Sequence, residues 1–147
     1  MARNDLGSFN ARMNKRANAL EIGVNALVKR VALTADQTVV LATPVDTGRA
    51  RSNWITSINR PSSQTIEPYV PGDKLGIGET ANAQAAIDQA RTVIETRKSG
   101  QSIHITNNLE YIGELNDGSS RQAPANFVGK AVLAAISAVK STRVIKA

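Results

Sequence analysis

The sequence contains no cysteine, and its single histidine is His104. Without cysteine there is no disulfide framework and no thiolate nucleophile, which is compatible with folding in a reducing cytoplasm. A metal site would need carboxylates that converge from separate elements, because the sequence has no His-x-His or HExxH spacing. We therefore predict no metal site and no catalytic role for the histidine.

Aromatic residues make up only 3% of the 147 residues, so the core must be built mainly from Ala, Val, Ile and Leu. No stretch approaches the roughly 20 apolar residues that a membrane-spanning helix needs. The N-terminal segment MARNDLGSFNARMNKR also lacks the continuous apolar region of a signal peptide. We expect neither secretion nor membrane insertion, and the chain length predicts a single domain over residues 1–147.

Phosphate-binding and catalytic patterns are lacking too. Gly72, Gly76 and Gly78 form no GxxxxGK[ST] or GxGxxG pattern between a strand and a helix, which disfavours nucleotide binding. Glu110 and Glu114 would lie one helical turn apart if their segment is helical, but isolated pairs at this spacing are usually exposed. Because no nucleophile, base and orienting residue can be named together, an enzyme is the least favoured class, and no cofactor is predicted.

Positive charge is concentrated at the two ends of the chain, whose net charge is +6. Residues 1–30 carry six basic and two acidic residues, residues 121–147 carry five basic and none acidic, and the middle is acidic overall. These ends are either solvated helix faces or surfaces that orient the protein toward a polyanion or an acidic partner. The candidate residues for contact with DNA or an acidic surface are Arg12, Lys15, Arg16, Lys140, Arg143 and Lys146.

Three segments show the apolar periodicity of amphipathic helices. The first runs from Phe9 to about Leu41, with Ser8 as its candidate N-cap and Pro44 as its stop. It would be roughly 50 Å long, more than this domain needs to cover its own core, so part of it is expected to contact a neighbouring subunit. The others span residues 81–98, which are rich in alanine, and residues 125–142, with Pro124 in the first turn.

Two segments alternate as half-buried strands do, at residues 52–59 around Trp54 and at residues 101–106, and we predict that they pair. Residues 60–78 hold three of the five prolines and three glycines, which predicts an extended arm or loop at about residues 60–79. This arm is the first candidate for a segment ordered by a partner. The predicted fold class is α+β, a small antiparallel sheet packed by a long N-terminal helix, a middle helix and a C-terminal helix.

The first of two distinctive patches is TPVDTGRARSNW, at residues 43–54. Its proline ends the long helix, its Asp-Thr pair can bond nearby backbone donors, and its glycine permits a sharp reversal. The predicted result is a rigid corner, which is either purely structural or also leaves two arginines available for a carboxylate or phosphate. The candidate residues of this corner are Pro44, Asp46, Thr47, Gly48, Arg49, Arg51 and Trp54.

The second patch is NNLEYIGELNDG, at residues 107–118. Tyr111 and Leu115 share a face if the segment makes a helical turn. The tyrosine hydroxyl then either forms a hydrogen bond at a boundary between helix and sheet, or the side chain is part of a contact between subunits. The candidate residues of this patch are Asn107, Asn108, Tyr111, Glu114 and Gly118.

The two patches occur in a definite order along the chain. A long helix precedes P-V-D-T-G-R-x-R-x-x-W, and N-N-x-x-Y-x-x-x-L-x-x-G precedes Gln122, Pro124 and Phe127 at the entry to the last helix. Over roughly residues 9–140 this order resembles the neck or tail-completion (head–tail joining) proteins of tailed bacteriophages and prophages. The sequence departs from the family at Asn116 and Asp117, where a Glu before a small residue and Gly is more usual.

The resemblance implies a virion protein, assembled in the bacterial host cytoplasm, that forms a hexameric ring in the neck between the DNA-filled head and the tail. Its implied partners are further copies of itself, head-side connector or adaptor proteins, tail terminator or tail tube proteins, and genomic DNA that passes through without sequence-specific reading. One alternative is a tail terminator or head-completion ring protein. Another, from a different class, is a basic DNA-binding accessory protein, whose DNA affinity should fall steeply with added salt.

Overall fold

A single long helix dominates the computed structural model, which describes residues 6–44, 48–71, 78–118 and 125–140. Helix α1 (Leu6–Ala42) has 37 residues and is therefore about 55 Å long. It ends where the sequence predicted, because Pro44 disfavours a helical conformation in the residue before it. Ser8 lies inside the helix, so the prediction that it caps the N-terminus is wrong.

The remaining elements follow in the order helix, strand, helix, strand, helix, helix. They are α2 (Arg49–Ser52), β1 (Ile55–Ile58), α3 (Glu79–Glu95), β2 (Ile103–Thr106), α4 (Ile112–Asn116) and α5 (Phe127–Val139). The two strands pair in antiparallel register, with Thr56 opposite Ile105 and Ile58 opposite Ile103. The predicted α+β class, with a small antiparallel sheet and three main helices, is confirmed.

Two helices pack on the C-terminal half of α1. Helix α5 makes the most extensive contact with it, and α3 packs against both α1 and β1. Alanines of α3 lie at these contacts, and Ala86 and Ala90 are fully buried because their small side chains allow the backbones to approach closely. The main core cluster consists of Val39, Val40, Trp54, Ala83, Ala86, Ile87, Phe127 and Ala131.

Within the described residues the sheet has two strands, so side chains must satisfy part of its edge. The carboxamide of Gln89 on α3 does this at Thr56, accepting from its N–H at 3.1 Å and donating to its carbonyl oxygen at 3.0 Å. Gln89 therefore occupies the place that a third strand would take at this point of β1.

The element boundaries differ from the sequence prediction at two helices. Residues 49–52 form α2, so the strand after the corner is shorter than predicted. Helix α5 begins at Phe127 behind Asn126, whose Oδ1 accepts from the N–H of Gly129 at 3.2 Å. The helix therefore begins two residues later than predicted, and Pro124 lies outside the described residues. For the segment that forms the short helix α4, the sequence analysis considered a helical turn but did not predict a helix.

Candidate functional site

The first patch closes the C-terminal end of α1. The guanidinium of Arg51 donates from Nε to the carbonyl oxygen of Thr43 and from Nη2 to that of Leu41, each at 3.0 Å. A helix leaves its last carbonyl groups without intrahelical donors, and a cation there also interacts favourably with the helix dipole. Arg51 is buried in this position. The expectation that it stays available for a partner is therefore wrong.

Trp54 and Thr43 extend the hydrogen bonds at this helix end into the core. The indole Nε1 of Trp54 donates to Thr43 Oγ1 at 2.8 Å, and that hydroxyl donates in turn to the carbonyl oxygen of Val39 at 2.6 Å. Thr43 and Trp54 are both buried, so the polar end of the tryptophan is satisfied where water cannot reach it. Pro44, which follows Thr43, is also buried.

Gly48 occupies a position that no other residue fits. Its φ is +83°, and a Cβ built there would lie 2.2 Å from Nδ2 of Asn82. Asn82 cannot retreat easily, because its side chain is fully buried and bonds to both backbone groups of Val70. Gly48 therefore lies directly against Asn82 of α3, in a backbone conformation that favours glycine. Asp46 and Thr47, the other two candidate corner residues, lie outside the described residues.

Arg49 differs from Arg51 in its surroundings. Its side chain is half-buried, and its Nε is buried without a hydrogen-bond partner among the described residues. A buried donor in this state costs free energy unless an acceptor reaches it. Of the two arginines predicted to meet a carboxylate or phosphate, Arg49 alone keeps that role as a prediction.

Side-chain amides hold the described part of the predicted arm, residues 60–71, against the body. Asn53 accepts from the N–H of Ile66 at 2.7 Å and donates to its carbonyl oxygen at 2.8 Å. Asn82 makes the same pair of bonds with Val70, at 2.8 and 2.9 Å. The chain itself therefore binds this stretch at Ile66 and Val70, and the contact of the arm with a partner stays a prediction.

The second patch is bound to the first. Nδ2 of Asn107 donates to the carbonyl oxygen of Ala50 in α2 at 2.9 Å, across 57 residues of sequence. Asn108 donates to the carbonyl oxygens of Ser62 and Gln64, at 2.8 and 3.0 Å, and so holds the start of the arm. The two patches, which were separate in the sequence, therefore form one connected corner of the molecule.

The rest of the second patch joins the corner to α5. Asn116 accepts the N–H of Val128 on its side chain at 3.0 Å and the N–H of Asn126 on its carbonyl oxygen at 2.6 Å. Gly118 has a φ of +95°, a backbone conformation that favours glycine, and a Cβ built there would lie 3.0 Å from the Cβ of Ala125. Glu114 and Tyr111 are exposed, so the structure leaves open a contact between Tyr111 and another subunit.

A buried carboxyl group that sequence reasoning missed lies under β1. Asp36 of α1 is fully buried, accepts from Thr56 Oγ1 at 3.4 Å, and has no hydrogen-bond partner on its Oδ2 among the described residues. Burial raises the pKa of Asp36 from 3.8 to about 7, and the hydrogen bond from Thr56 opposes this only in part. The pKa of Tyr69 is raised by burial and, to a smaller extent, by the charge of Asp36. An aspartate inside an amphipathic pattern carries no signal of this burial.

The candidate basic residues lie on exposed helical surface where they are described. Arg12, Lys15 and Arg16 project from the N-terminal half of α1, and Lys140 directly follows α5. Arg143 and Lys146 lie outside the described residues. The distribution allows the predicted contact with a polyanion or an acidic surface and does not test it.

The N-terminal half of α1 extends beyond the body of the protein. Every residue from 6 to 22 is exposed, which corresponds to about 25 Å of helix, and packing begins near Asn25, to which Arg97 donates a hydrogen bond. We call residues 6–22 the free half of α1. Its large exposed apolar side chains are Leu6, Phe9, Met13, Leu20 and Ile22.

An open groove runs along the packed half of the same helix, between α1, β2 and α5. Two adjoining depressions form it, and they share the side chain of Ile105. We call this the apolar groove and define it by Leu27, Val28, Val31, Ala35, Ile103, Ile105, Val128 and Val132.

In the parts of the chain that the structure describes, no three His, Cys, Asp or Glu side chains come together as metal ligands. No helix in these parts combines the length and apolar character needed to cross a bilayer.

The fold defines the chain as a small α+β protein with a projecting helix. No protein-family model matches its sequence, and no curated protein or solved structure matches it either. The resemblance to phage neck proteins therefore stays a prediction from the order of the two sequence patches.

Proposed function

We propose that this chain is a structural protein of a tailed phage virion, a subunit of a ring in the neck that joins the DNA-filled head to the tail. The ring is a hexamer, and its partners are head-side connector or adaptor proteins on one side and tail terminator or tail tube proteins on the other. Genomic DNA passes through the channel without being read.

The observation that carries this proposal is the free half of α1. A helix of this length is marginally stable in water on its own, and most helical stability in proteins comes from packing an apolar face. Here the apolar face of residues 6–22 is exposed while the rest of the helix is packed. An element of this kind is typical of a protein that completes its packing in an assembly.

The use of the polar residues supports the same conclusion. Arg51, Asn53 and Asn82, together with Asn107, bond to the chain's own backbone and thereby stiffen one corner. Rigid corners and an extended docking helix suit a mechanical joint, whose function is to hold partners in fixed geometry rather than to turn over a substrate.

Deletion of the gene from the phage or prophage that carries it tests the proposal. We expect filled heads and complete tails that do not join, and restoration of joined particles when the protein is supplied. Microscopy of a tagged chain should then locate the ring at the neck. Normal infectivity without the chain would overturn the proposal, and a ring found on purified tails alone would favour the tail terminator alternative.

A basic DNA-binding accessory protein is the second candidate, and one observation favours it. Arg12, Lys15 and Arg16 lie close together on the exposed free half, where they could contact phosphates. For such a protein, the DNA affinity of the isolated chain should fall steeply as salt is raised, since each neutralised phosphate releases counterions. A neck subunit should bind DNA weakly at any salt concentration.

A further inference from the structure

We propose that the side chains that hold the arm form a binding site for extended main chain, and that in the assembled ring this site takes the arm of the next copy. We call it the main-chain site and define it by Ser52, Asn53, Asn82 and Asn108. Its occupant in the structure is the chain's own arm, residues 60–71. The exchange between copies deepens the proposed ring and rests on it, whereas the site itself does not.

Two carboxamides of the site bind the arm in the same way. Asn53 accepts from the N–H of Ile66 and donates to its carbonyl oxygen, and Asn82 does the same at Val70. A β-strand makes this paired contact with alternate residues of an antiparallel neighbour. The two side chains therefore take the place of a neighbouring strand at two points along the arm.

Ser52 and Asn108 extend the contact to other main-chain groups. Ser52 Oγ accepts from the N–H of Tyr69 at 3.2 Å, and Asn108 donates to the carbonyl oxygens of Ser62 and Gln64. The contacts are therefore spread along most of the arm. Binding of an extended segment is a common mode of peptide recognition, in which main-chain hydrogen bonds supply the affinity.

The body of the protein fixes the geometry of the site. Asn82 accepts from the hydroxyl of Ser52 at 3.0 Å, and Asn53 donates a further bond to the carbonyl oxygen of Arg49 at 2.8 Å. Ser52, Asn53 and Asn82 are fully buried when the arm is in place. Side chains that are held by such bonds keep their orientation when the ligand leaves, so the site can receive another one.

The side chains of the arm are not what the site binds. None of residues 60–71 is buried, and neither described core cluster contains one of them. Among the described residues, the hydrogen bonds from the body to the arm all end on main-chain atoms. The core therefore loses little buried apolar surface when the arm leaves, and such a segment opens at a lower free energy than the rest of the fold.

Three prolines preorganise the arm as a ligand. Pro61, Pro68 and Pro71 restrict their own backbone and favour an extended conformation in the residue before each of them. They lie where a missing N–H does no harm, since the site accepts from the N–H groups of other residues. A segment that is already stiff loses less conformational freedom when it binds.

The arm of a second copy is the occupant that fits the site, because it presents the same main-chain atoms in the same order. In a ring, a neighbouring arm has an effective concentration of about 1 mM, comparable with that of the tethered arm. Exchange therefore replaces contacts within a chain by identical contacts between chains, and it links the copies at little cost.

A peptide tests the main-chain site in the full chain. The double variant Ile66→Pro and Val70→Pro removes the two N–H groups that the carboxamides accept, so its own arm should leave the site. A fluorescent peptide with the sequence of residues 60–71 should then bind with a dissociation constant well below about 1 mM, because the tethered arm is bound at that effective concentration. We expect the wild type to bind the peptide about tenfold more weakly or less, because its own arm competes.

Two control peptides separate main-chain from side-chain recognition. A peptide with Ser63→Ala, Thr65→Ala and Glu67→Ala should bind as tightly as the arm sequence, since these side chains are exposed. A peptide with proline in place of Ile66 and Val70 should not bind. Circular dichroism should show wild-type helix content in the double variant. Failure of the arm peptide to bind, or equal binding of the proline peptide, would overturn the site.

Mixing two complementary single variants tests the exchange between copies. Asn53→Ala keeps an intact arm and weakens the site, whereas Ile66→Pro keeps an intact site and weakens the arm. In analytical ultracentrifugation at about 100 μM, below the effective concentration of a tethered arm, an equimolar mixture should form a 1:1 dimer and each variant alone should stay monomeric. Thr65→Ala is the matched control, because it changes an exposed side chain and leaves the main chain intact. Its mixture with Asn53→Ala should form no dimer.

The two tests separate the site, the exchange and the neck role. Peptide binding without a dimer in the mixture would overturn the exchange and assign the site to an extended segment of another protein. A dimer in the mixture, together with normal infectivity of particles that lack the chain, would overturn the neck role and leave the exchange standing.

Discussion

Arg51 caps the helix that precedes it, since its Nε donates to the carbonyl oxygen of Thr43 at 3.0 Å and its Nη2 reaches the carbonyl oxygen of Leu41 at the same distance. A residue that the sequence suggested for binding a partner is thus part of the fold. Arg49, two positions earlier, has a buried Nε without a partner among the described residues. The two arginines should therefore respond differently to substitution.

Removal of the Arg51 side chain should destabilise the protein. Arg51→Ala leaves the carbonyl groups of Thr43, which is buried, and Leu41 without these donors, and bonds of charged donors contribute about 1.5–3 kcal/mol each. We expect the free energy of unfolding in urea to fall by about 2–4 kcal/mol. Arg51→Lys should recover only part of this, because an ammonium group lacks the planar fork that reaches both oxygens. A loss below about 1 kcal/mol would contradict the capping role.

Arg49→Ala should affect assembly instead of stability. Its buried Nε is unsatisfied, so truncation removes an unfavourable group and should change the free energy of unfolding by less than about 1 kcal/mol. We expect the subunit to stay soluble while head and tail joining is blocked, measured as the yield of infectious particles. Arg91→Ala, an exposed arginine on α3, is the matched control and should leave the yield unchanged. A normal yield from Arg49→Ala would count against a partner contact here.

Asp36 should make the protein less stable as pH rises. Its pKa is about 7 in the folded state and 3.8 in the reference state, so between these values the folded protein binds more protons than the unfolded protein. The free energy of unfolding should then decrease by up to about 1.4 kcal/mol per pH unit between about pH 4 and pH 7, and level off above that.

Urea unfolding at several pH values measures this effect, and Asp36→Asn supplies the control. The amide is nearly the same shape as the protonated carboxyl group but does not titrate, so the decrease between about pH 4 and pH 7 should be largely abolished. Above pH 7 the variant should be at least as stable as the wild type. An identical pH dependence in the two proteins would show that other groups are responsible.

Asn53→Ala should release the middle of the arm. The side chain makes a pair of bonds with the backbone of Ile66, and both are lost together. We expect faster hydrogen exchange at Ile66 and faster proteolysis within residues 60–71, with a stability loss of about 1–3 kcal/mol. Asn108→Ala should have a smaller effect, because Asn108 is exposed and water can replace its bonds to Ser62 and Gln64. Equal effects of the two substitutions would contradict this difference.

Several parts of the candidate site could be predicted from the sequence. The pattern Pro44 to Gly48 predicted a glycine in a special backbone conformation, and Gly48 does have a positive φ. The alternation at Ile103 and Ile105 predicted a strand that pairs with the strand after Trp54, and the two strands do pair. These features follow from backbone preferences of neighbouring residues.

Other parts could not be predicted from neighbouring residues. Asn107 meets Ala50 across 57 residues, and Asn53 and Asn82 meet the arm from two different elements. An asparagine in a sequence signals a turn or a cap as readily as a long-range bond, since its side chain can pair with any exposed backbone group. The sequence prediction for the arm therefore did not include these bonds to Asn53 and Asn82.

The sequence by itself determined the three long helices and the strand pair, because these depend on the periodicity of apolar residues over a few positions. Only the tertiary structure decided that Arg51 is buried as a cap, that Asp36 is buried without a full set of partners, and that one half of α1 stays free. The physical reason is that burial and hydrogen-bond partners depend on which distant residues the fold brings together. The apolar stripe of α1 looks the same in its packed and its free half.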